Sequence, residues 1–278
     1  MHRLTAVLSA LVSAGCLGGV PSPVSAALQW APASSATIHP GVQLFTNGAQ
    51  CTANFIFTNG AHVYVGQAAH CSGTGLNSVG DGCTSPSLPL GTAVGIPGAR
   101  RPGRIAYSSW LTMQSVHEAD SNTCQYNDLA LVELDPADVG SVNPSIPIWG
   151  GPVGISTGGT SESDPVYGYG HSELAMGLSL LGSKQGVSLG DSGNGWSHRV
   201  LTASPGIPGD SGSAYLDSQG RALGILSTLD LVPVPGSNGV GDLSRELAYL
   251  HIHTSLGSVQ LAFGTMPFTA NRRGVVGV

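Results

Sequence analysis

Residues 209–227 read Gly-Asp-Ser-Gly-Ser-Ala-Tyr-Leu-Asp-Ser-Gln-Gly-Arg-Ala-Leu-Gly-Ile-Leu-Ser. Two short apolar runs, Ser213 to Leu216 and Ala222 to Leu226, flank the turn signal Ser218-Gln219-Gly220. Runs of that length bounded by turn residues read as paired strands. Ahead of them a serine stands between two glycines, which sets it on a tight turn feeding a β-hairpin.

The same punctuation extends outward in both directions. Val42 to Thr46, Ala53 to Thr58, His62 to Val65, Leu129 to Leu134 and Val259 to Phe263 are short apolar stretches broken by Gly, Pro, Asn and Asp. Several alternate apolar with polar residues, as strands do. Asn59-Gly60 between two such runs is a hairpin signal. One stretch has helical spacing: Asp242 is placed to cap a helix from Leu243 to about Leu256, with Leu243, Leu247 and Leu250 on one face. The Asp242/Glu246 pair puts negative charge near its start, which suits the helix dipole. The expectation is an all-β chain with one late helix and a bridge near Gly150 to Gly159.

Composition narrows the function classes. The chain has 278 residues, with charged residues at 9% and a formal net charge of -6. Arg100-Arg101 is its densest basic point, so nucleic-acid binding has little electrostatic support. A hydrophobic content of 41% argues for a packed core over disorder. Arg3 followed by the apolar run Leu4 to Val20, Pro21-Ser22-Pro23 and the small residues Val24-Ser25-Ala26 reads as a signal peptide spanning 1–26. Two alternatives are a retained membrane anchor and a lipid anchor through Cys16, whose Ser13-Ala14-Gly15-Cys16 context is a weak lipobox. Residues 27–40 read as a flexible lead-in. Four cysteines remain after the signal, Cys51, Cys71, Cys83 and Cys124, and they allow three pairings. A zinc site is the rival reading, but no Cys-x-x-Cys spacing supports it.

Three stretches carry chemistry: Gln67-Ala68-Ala69-His70-Cys71, Asn127-Asp128-Leu129-Ala130-Leu131-Val132-Glu133-Leu134, and Gly209-Asp210-Ser211-Gly212-Ser213. A serine hydroxyl is a weak nucleophile and needs a neutral imidazole to take its proton. A buried carboxylate must then hold the imidazole in one tautomer and stabilise the imidazolium. His70, Asp128 and Ser211 fill these roles. The glycines flanking Ser211 let the backbone N–H groups of Gly209 and Ser211 point at one developing oxyanion, where a donor contributes roughly 3–4 kcal/mol.

With Gly224-Ile225-Leu226-Ser227 added, these motifs resemble the chymotrypsin-like (trypsin-type) serine peptidases, in particular secreted bacterial ones. The resemblance runs from about Gly41 to Phe263. It implies two antiparallel six-stranded β-barrels, 41–150 and 151–278, with the active site between them and the helix 243–256 in the second. It implies a secreted endopeptidase working through an acyl-enzyme on a protein or peptide substrate, with no cofactor or metal. The same resemblance implies a monomer with no nucleic-acid partner and no membrane after signal cleavage. It also implies a Cys51–Cys71 bridge, which leaves Cys83 and Cys124 for each other; loop-closure entropy gives these roughly 3 and 4 kcal/mol. Ser227, Thr228 and Leu229 are expected to pair with substrate backbone by strand addition.

The chain departs from the family pattern at several points. Ser213 and Leu229 stand where glycines are usual, and Leu229 is expected to narrow the specificity pocket. Pro205 falls at the pocket base where trypsins carry Asp, so cleavage after Arg or Lys is not expected; a small or apolar preference is. No Ile-Val-Gly-Gly start follows a basic site, so Asp210 needs a partner other than a new N-terminus; an Arg is one option. Gly190-Asp191-Ser192-Gly193 repeats the nucleophile motif without a buried strand after it and reads as a surface turn; His198 and His171 read as surface residues. His251 and His253 are a metal-ligand alternative, but on a helix they point to different faces. Two rival functions remain: an esterase using the same triad, and a catalytically silent homologue that binds a partner.

Overall fold

The structure, a computed structural model, describes residues 28–60, 62–74, 80–175, 179–230 and 234–270. The expected signal peptide and Cys16 lie outside them. The first half holds β1 (Gln43–Thr46), β2 (Ala49–Thr52), β3 (Ile56–Thr58), β4 (Val63–Ala68), β5 (Ala93–Val94), β6 (Gly103–Ser108), α1 (Ser109–Val116), α2 (Ser121–Tyr126) and β7 (Leu129–Glu133). The second holds β8 (Pro165–Tyr169), α3 (Ser179–Gly182), β9 (Ser183–Ser192), β10 (Ser197–Thr202), β11 (Ala214–Leu216), β12 (Ala222–Asp230), β13 (Ser237–Asp242), α4 (Leu243–His253) and β14 (Gln260–Leu261).

Strands β8 to β13 close into an antiparallel barrel, in the order β10-β13-β12-β11-β8-β9. The other sheet also has six strands, β14-β3-β4-β7-β6-β5, and its first member comes from the end of the chain. Hairpin β1-β2 is tied to that sheet through Phe45 and Gly95, which exchange backbone hydrogen bonds of 2.9 and 2.8 Å. The two hairpins read from the sequence form. Gly60 turns β3 into β4 at φ 90°, and Gly220 turns β11 into β12 at φ 77°. Each glycine takes a left-handed conformation that a side chain would strain.

Three apolar clusters hold these layers. One fills the first sheet, with Leu44, Ile56, Val65, Ile105 and Val132. One fills the barrel, with Val166, Val200, Tyr215, Leu223 and Val240. The largest joins the two halves, with Phe57, Leu131 and Trp149 meeting Leu216, Ile225 and the α4 residues Leu243, Leu247 and Leu250. Asp242 caps α4 by accepting from the Arg245 N–H at 2.9 Å. The helix stops at His253, short of the expected Leu256, because Thr254 leaves helical geometry for an extended conformation (φ -138°).

Two helices arise where none was expected. α1 and α2 are short and lack a strong apolar periodicity. Caps and a crosslink hold them instead: Ser108 accepts from Leu111 N–H, and Asp120 accepts from Thr123 N–H at 2.8 Å. Cys124 in α2 is bridged to Cys83, with Cα atoms 5.2 Å apart. The stretch read as a flexible lead-in is packed. Ala31 N–H donates to Val142 O at 2.9 Å, Ile38 is fully buried, and Leu28 and Trp30 lie on the first core. The apolar side chains at 28, 30 and 38 supply burial that the polar look of the segment conceals.

Candidate active site

β4 ends at Ala68, and His70 follows in a single 3-10 turn, Ala69–Ser72. Two constraints aim that turn. Ala69 N–H donates to Asp128 O at 2.5 Å, and Cys71 is bridged to Cys51 at the end of β2, with Cα atoms 6.1 Å apart. Asp128 stands immediately before β7, the neighbour of β4 in the sheet, so strand pairing alone brings His70 and Asp128 together.

Asp128 is buried and each of its oxygens is used. Oδ1 accepts the backbone N–H of His70 at 2.9 Å. Oδ2 lies 2.6 Å from His70 Nδ1 and accepts the Ser227 hydroxyl at 2.6 Å. These bonds fix the His70 ring with Nδ1–H toward Asp128 and Nε2 free to accept. Burial opposes protonation of His70, yet the Asp128 charge and hydrogen bond outweigh it, and the His70 pKa is raised above its ordinary 6.5. Ser227, expected only on the substrate edge, thus also grips Asp128.

Behind Asp128 sits a carboxyl that sequence reasoning missed. Glu246 in α4 is fully buried, and its Oε1 accepts the Asp128 N–H at 3.0 Å. Burial, with the charges of Asp128 and Asp242 adding to it, pushes the Glu246 pKa well above the usual carboxylate range against the lowering effect of that N–H. The signal available in the sequence was a Glu inside the apolar face of a helix.

Ser211 lies on the loop before β11. Thr52 N–H donates to Ser211 O at 2.8 Å, and Gly212 N–H donates to Leu226 O at 2.7 Å, which tie the loop to β2 and β12. Gly212 (φ 88°) sits so close to the start of the His70 turn that a Cβ there would meet Thr52 O at 2.6 Å and Ala68 N at 2.8 Å. Among the described residues no hydrogen bond joins Ser211 Oγ to His70 Nε2. Such bonds are often long before substrate binds.

The peptide planes on both sides of the serine are pinned from behind. Pro208 O accepts from Ser172 Oγ at 2.5 Å, which turns the Gly209 N–H the opposite way. Asp210 O accepts from Ser213 N–H at 3.0 Å and Ser213 Oγ at 2.5 Å, which does the same for Ser211 N–H. Gly209 O is held by Thr52 Oγ1 at 2.8 Å and Gln50 Nε2 at 2.9 Å. Among the described residues, neither Gly209 N–H nor Ser211 N–H has a partner. Two backbone donors are thereby left free beside a serine, as oxyanion binding requires.

The partner of Asp210 is a lysine. Lys184 Nζ lies 2.8 Å from Asp210 Oδ2, and both side chains are buried. The same ammonium donates to Pro205 O at 3.2 Å, and Asp210 Oδ2 also accepts Ile207 N–H at 3.1 Å. Gly170 leaves the room: a Cβ there would sit 2.4 Å from Asp210 Oδ1.

His198, read as a surface residue, is fully buried between two carboxylates. Its Nδ1 lies 2.7 Å from Asp191 Oδ1 and its Nε2 3.0 Å from Asp242 Oδ2. The Asp of the repeated Gly-Asp-Ser-Gly motif thus has a structural partner. His171 is exposed.

A cavity of about 630 Å³ opens beside His70, with Trp110, Tyr126, Ser227, Thr228 and Arg199 among its walls. Leu229, expected to narrow the pocket, is 43% exposed and lies off this cavity, as does Pro205. Alternation at the end of β12 explains Leu229: its neighbours Thr228 and Asp230 both take the cavity face.

No protein-family model matches the chain, and no curated protein matches it in sequence. Solved structures do match in fold. Thermobifida fusca Protease A aligns at 18% identity with a TM-score of 0.51, over 82% of this chain and 99% of that one. A Glu endopeptidase solved in complex with MPD aligns at 14% identity with a TM-score of 0.50, over 79% and 91%. The fold is therefore that of the chymotrypsin-like serine proteases, with a closed barrel, a second six-stranded sheet and a late helix, as the motifs implied.

Proposed function

We propose that this protein is a serine endopeptidase. Ser211 attacks the carbonyl carbon of a peptide bond as His70 Nε2 takes the hydroxyl proton. Asp128 holds the imidazole and stabilises the imidazolium. The N–H groups of Gly209 and Ser211 receive the oxyanion. His70 then passes the proton to the leaving amine, and water hydrolyses the acyl-enzyme with His70 again as base.

The observation that carries this reading is the pairing of a fixed base with free backbone donors. His70 is locked to a buried Asp128 bonded at both oxygens, while the turn bearing Ser211 presents two N–H groups without partners among the described residues. The fold similarity supports it, since both structures named above are described as proteases. Substrate is a protein or peptide strand laid along Ser227 to Leu229, and the protein acts as a monomer. Export belongs to the same reading, because two disulfides suit an oxidising compartment.

The test is covalent labelling of the folded, oxidised protein with a small fluorophosphonate, read by mass spectrometry. A single adduct that disappears in Ser211→Ala and persists in Ser192→Ala is the expected result. An unlabelled wild type would overturn the enzyme reading and favour a silent, partner-binding homologue.

A further inference from the structure

Arg199 lines the same cavity as His70, and among the described residues no carboxylate pairs with it. It lies in β10 opposite Gly239 of β13, and Gly239 offers no side chain to cover it. Ser197 shares its face of the strand two residues earlier. Among the described residues the Arg199 side chain makes no hydrogen bond and no ion pair, and its Nε is buried with no partner. A buried donor in that condition costs free energy until something accepts from it.

Two acids line the same cavity, each with one carboxylate oxygen hydrogen-bonded. Asp230 accepts the Thr228 hydroxyl at 3.2 Å, and Asp81 accepts the Cys83 N–H at 2.8 Å. Neither pairs with Arg199. Asp128 is occupied by His70 and Ser227.

The geometry of strand addition says what reaches this arginine. β12 leaves the Ser211 loop at Leu226, whose carbonyl accepts from Gly212 N–H, and runs away from it through Thr228. A substrate laid antiparallel along Ser227 to Leu229 therefore arrives at Ser211 with its C-terminal end. The residue opposite Thr228 lies on the N-terminal side of the scissile bond. Directly opposed residues share a face, so its side chain lies on the face that Thr228, Gly239 and Arg199 line.

We propose that Arg199 selects an acidic substrate side chain, Asp or Glu, at a position N-terminal to the scissile bond. The planar guanidinium accommodates a carboxylate through two parallel N–H donors, a geometry that amides and alkyl groups cannot match. It concerns a subsite other than the specificity pocket for which Leu229 and Pro205 led to a small or apolar expectation, and it rests on the endopeptidase reading.

The test has two arms. In the first, the oxidised protein cleaves peptide libraries that vary the four residues before the scissile bond. One position is expected to favour Glu over Gln in kcat/KM by about tenfold, a usual size for one added ion pair in a partly wet site. In Arg199→Gln that ratio falls toward one, in Arg199→Lys it persists in weaker form, and in Arg199→Glu it inverts in favour of Lys. Indifference to acid, a preference for Lys in the wild type, or a ratio unchanged in Arg199→Gln would overturn the proposal; the second of these would assign the cavity to Asp230 and Asp81. The second arm uses Ser211→Ala and measures binding of Glu and Gln versions of one peptide by calorimetry. It reads carboxylate recognition without turnover, so a failed enzyme reading and a failed Arg199 reading give different results.

Discussion

Lys184 Nζ and Asp210 Oδ2 are 2.8 Å apart in a site from which solvent is excluded, and Asp210 is the residue next to Ser211. This ion pair is intrinsic to the folded chain and gives Asp210 a partner other than a newly cut N-terminus. Removing one partner of a buried pair leaves an uncompensated charge, at a cost of about 3–5 kcal/mol. Lys184→Met is expected to lose that much stability in urea unfolding and to slow fluorophosphonate labelling of Ser211. Unchanged stability and labelling would mean that Asp210 finds other support.

Ser172 acts on the same turn from the other side. Its hydroxyl holds Pro208 O, and so the Gly209 N–H, in place. A neutral hydrogen bond contributes about 1 kcal/mol net. Applied to donor alignment in the transition state, that is about fivefold in rate. Ser172→Ala is expected to lower kcat for peptide hydrolysis with KM little changed, the signature of an interaction made only in the transition state. A rise in KM at constant kcat would place Ser172 in substrate binding instead.

What the sequence disclosed is the local part of this arrangement. His70 beside Cys71, Asp128 before an apolar run and Ser211 between glycines are each written within a few residues, and strand pairing then assembles them. The hairpins at Gly60 and Gly220 were legible for the same reason. Lys184 was not, because its partner is 26 residues on and only barrel closure brings the two together. His198 looked like a surface residue because Asp242, which neutralises it, follows 44 residues later. Helices α1 and α2 escaped notice because caps and the Cys83–Cys124 bridge hold them, where periodic burial would have shown in the pattern.

Glu246 gives a pH-dependent prediction. Burial and the neighbouring charges of Asp128 and Asp242 favour its uncharged form, and Tyr107 lies within reach of the same carboxyl. Its pKa is raised above 4.5, so the stability it contributes is complete below that pH and is lost as pH rises toward the folded value. Glu246→Gln keeps an acceptor for the Asp128 N–H and removes the ionisation. It is expected to retain labelling at Ser211 and to gain stability over wild type above pH 4.5. Glu246→Leu leaves that buried N–H unpaired, at about 1–3 kcal/mol, and slows labelling. If Gln behaves like Leu, the carboxyl is needed as an anion.

His198 supplies the clearest sign of charge inside the barrel. Both ring nitrogens face carboxyl oxygens, an arrangement that a doubly protonated imidazolium between two carboxylates satisfies. Burial opposes that charge, but the bonds and charges of Asp242 and Asp191 outweigh it and raise the pKa above 6.5. Stability from this group is complete below 6.5 and disappears as pH rises through the raised folded value. Asp242 also caps α4, the helix that carries Glu246 to Asp128, so His198 and that cap share one carboxylate. Nitrogen-15 NMR of histidine-labelled protein is expected to show His198 doubly protonated at neutral pH. A neutral His198 tautomer at that pH would show that one of the two carboxylates is itself protonated, and would move the buried charge from the histidine to the acid pair.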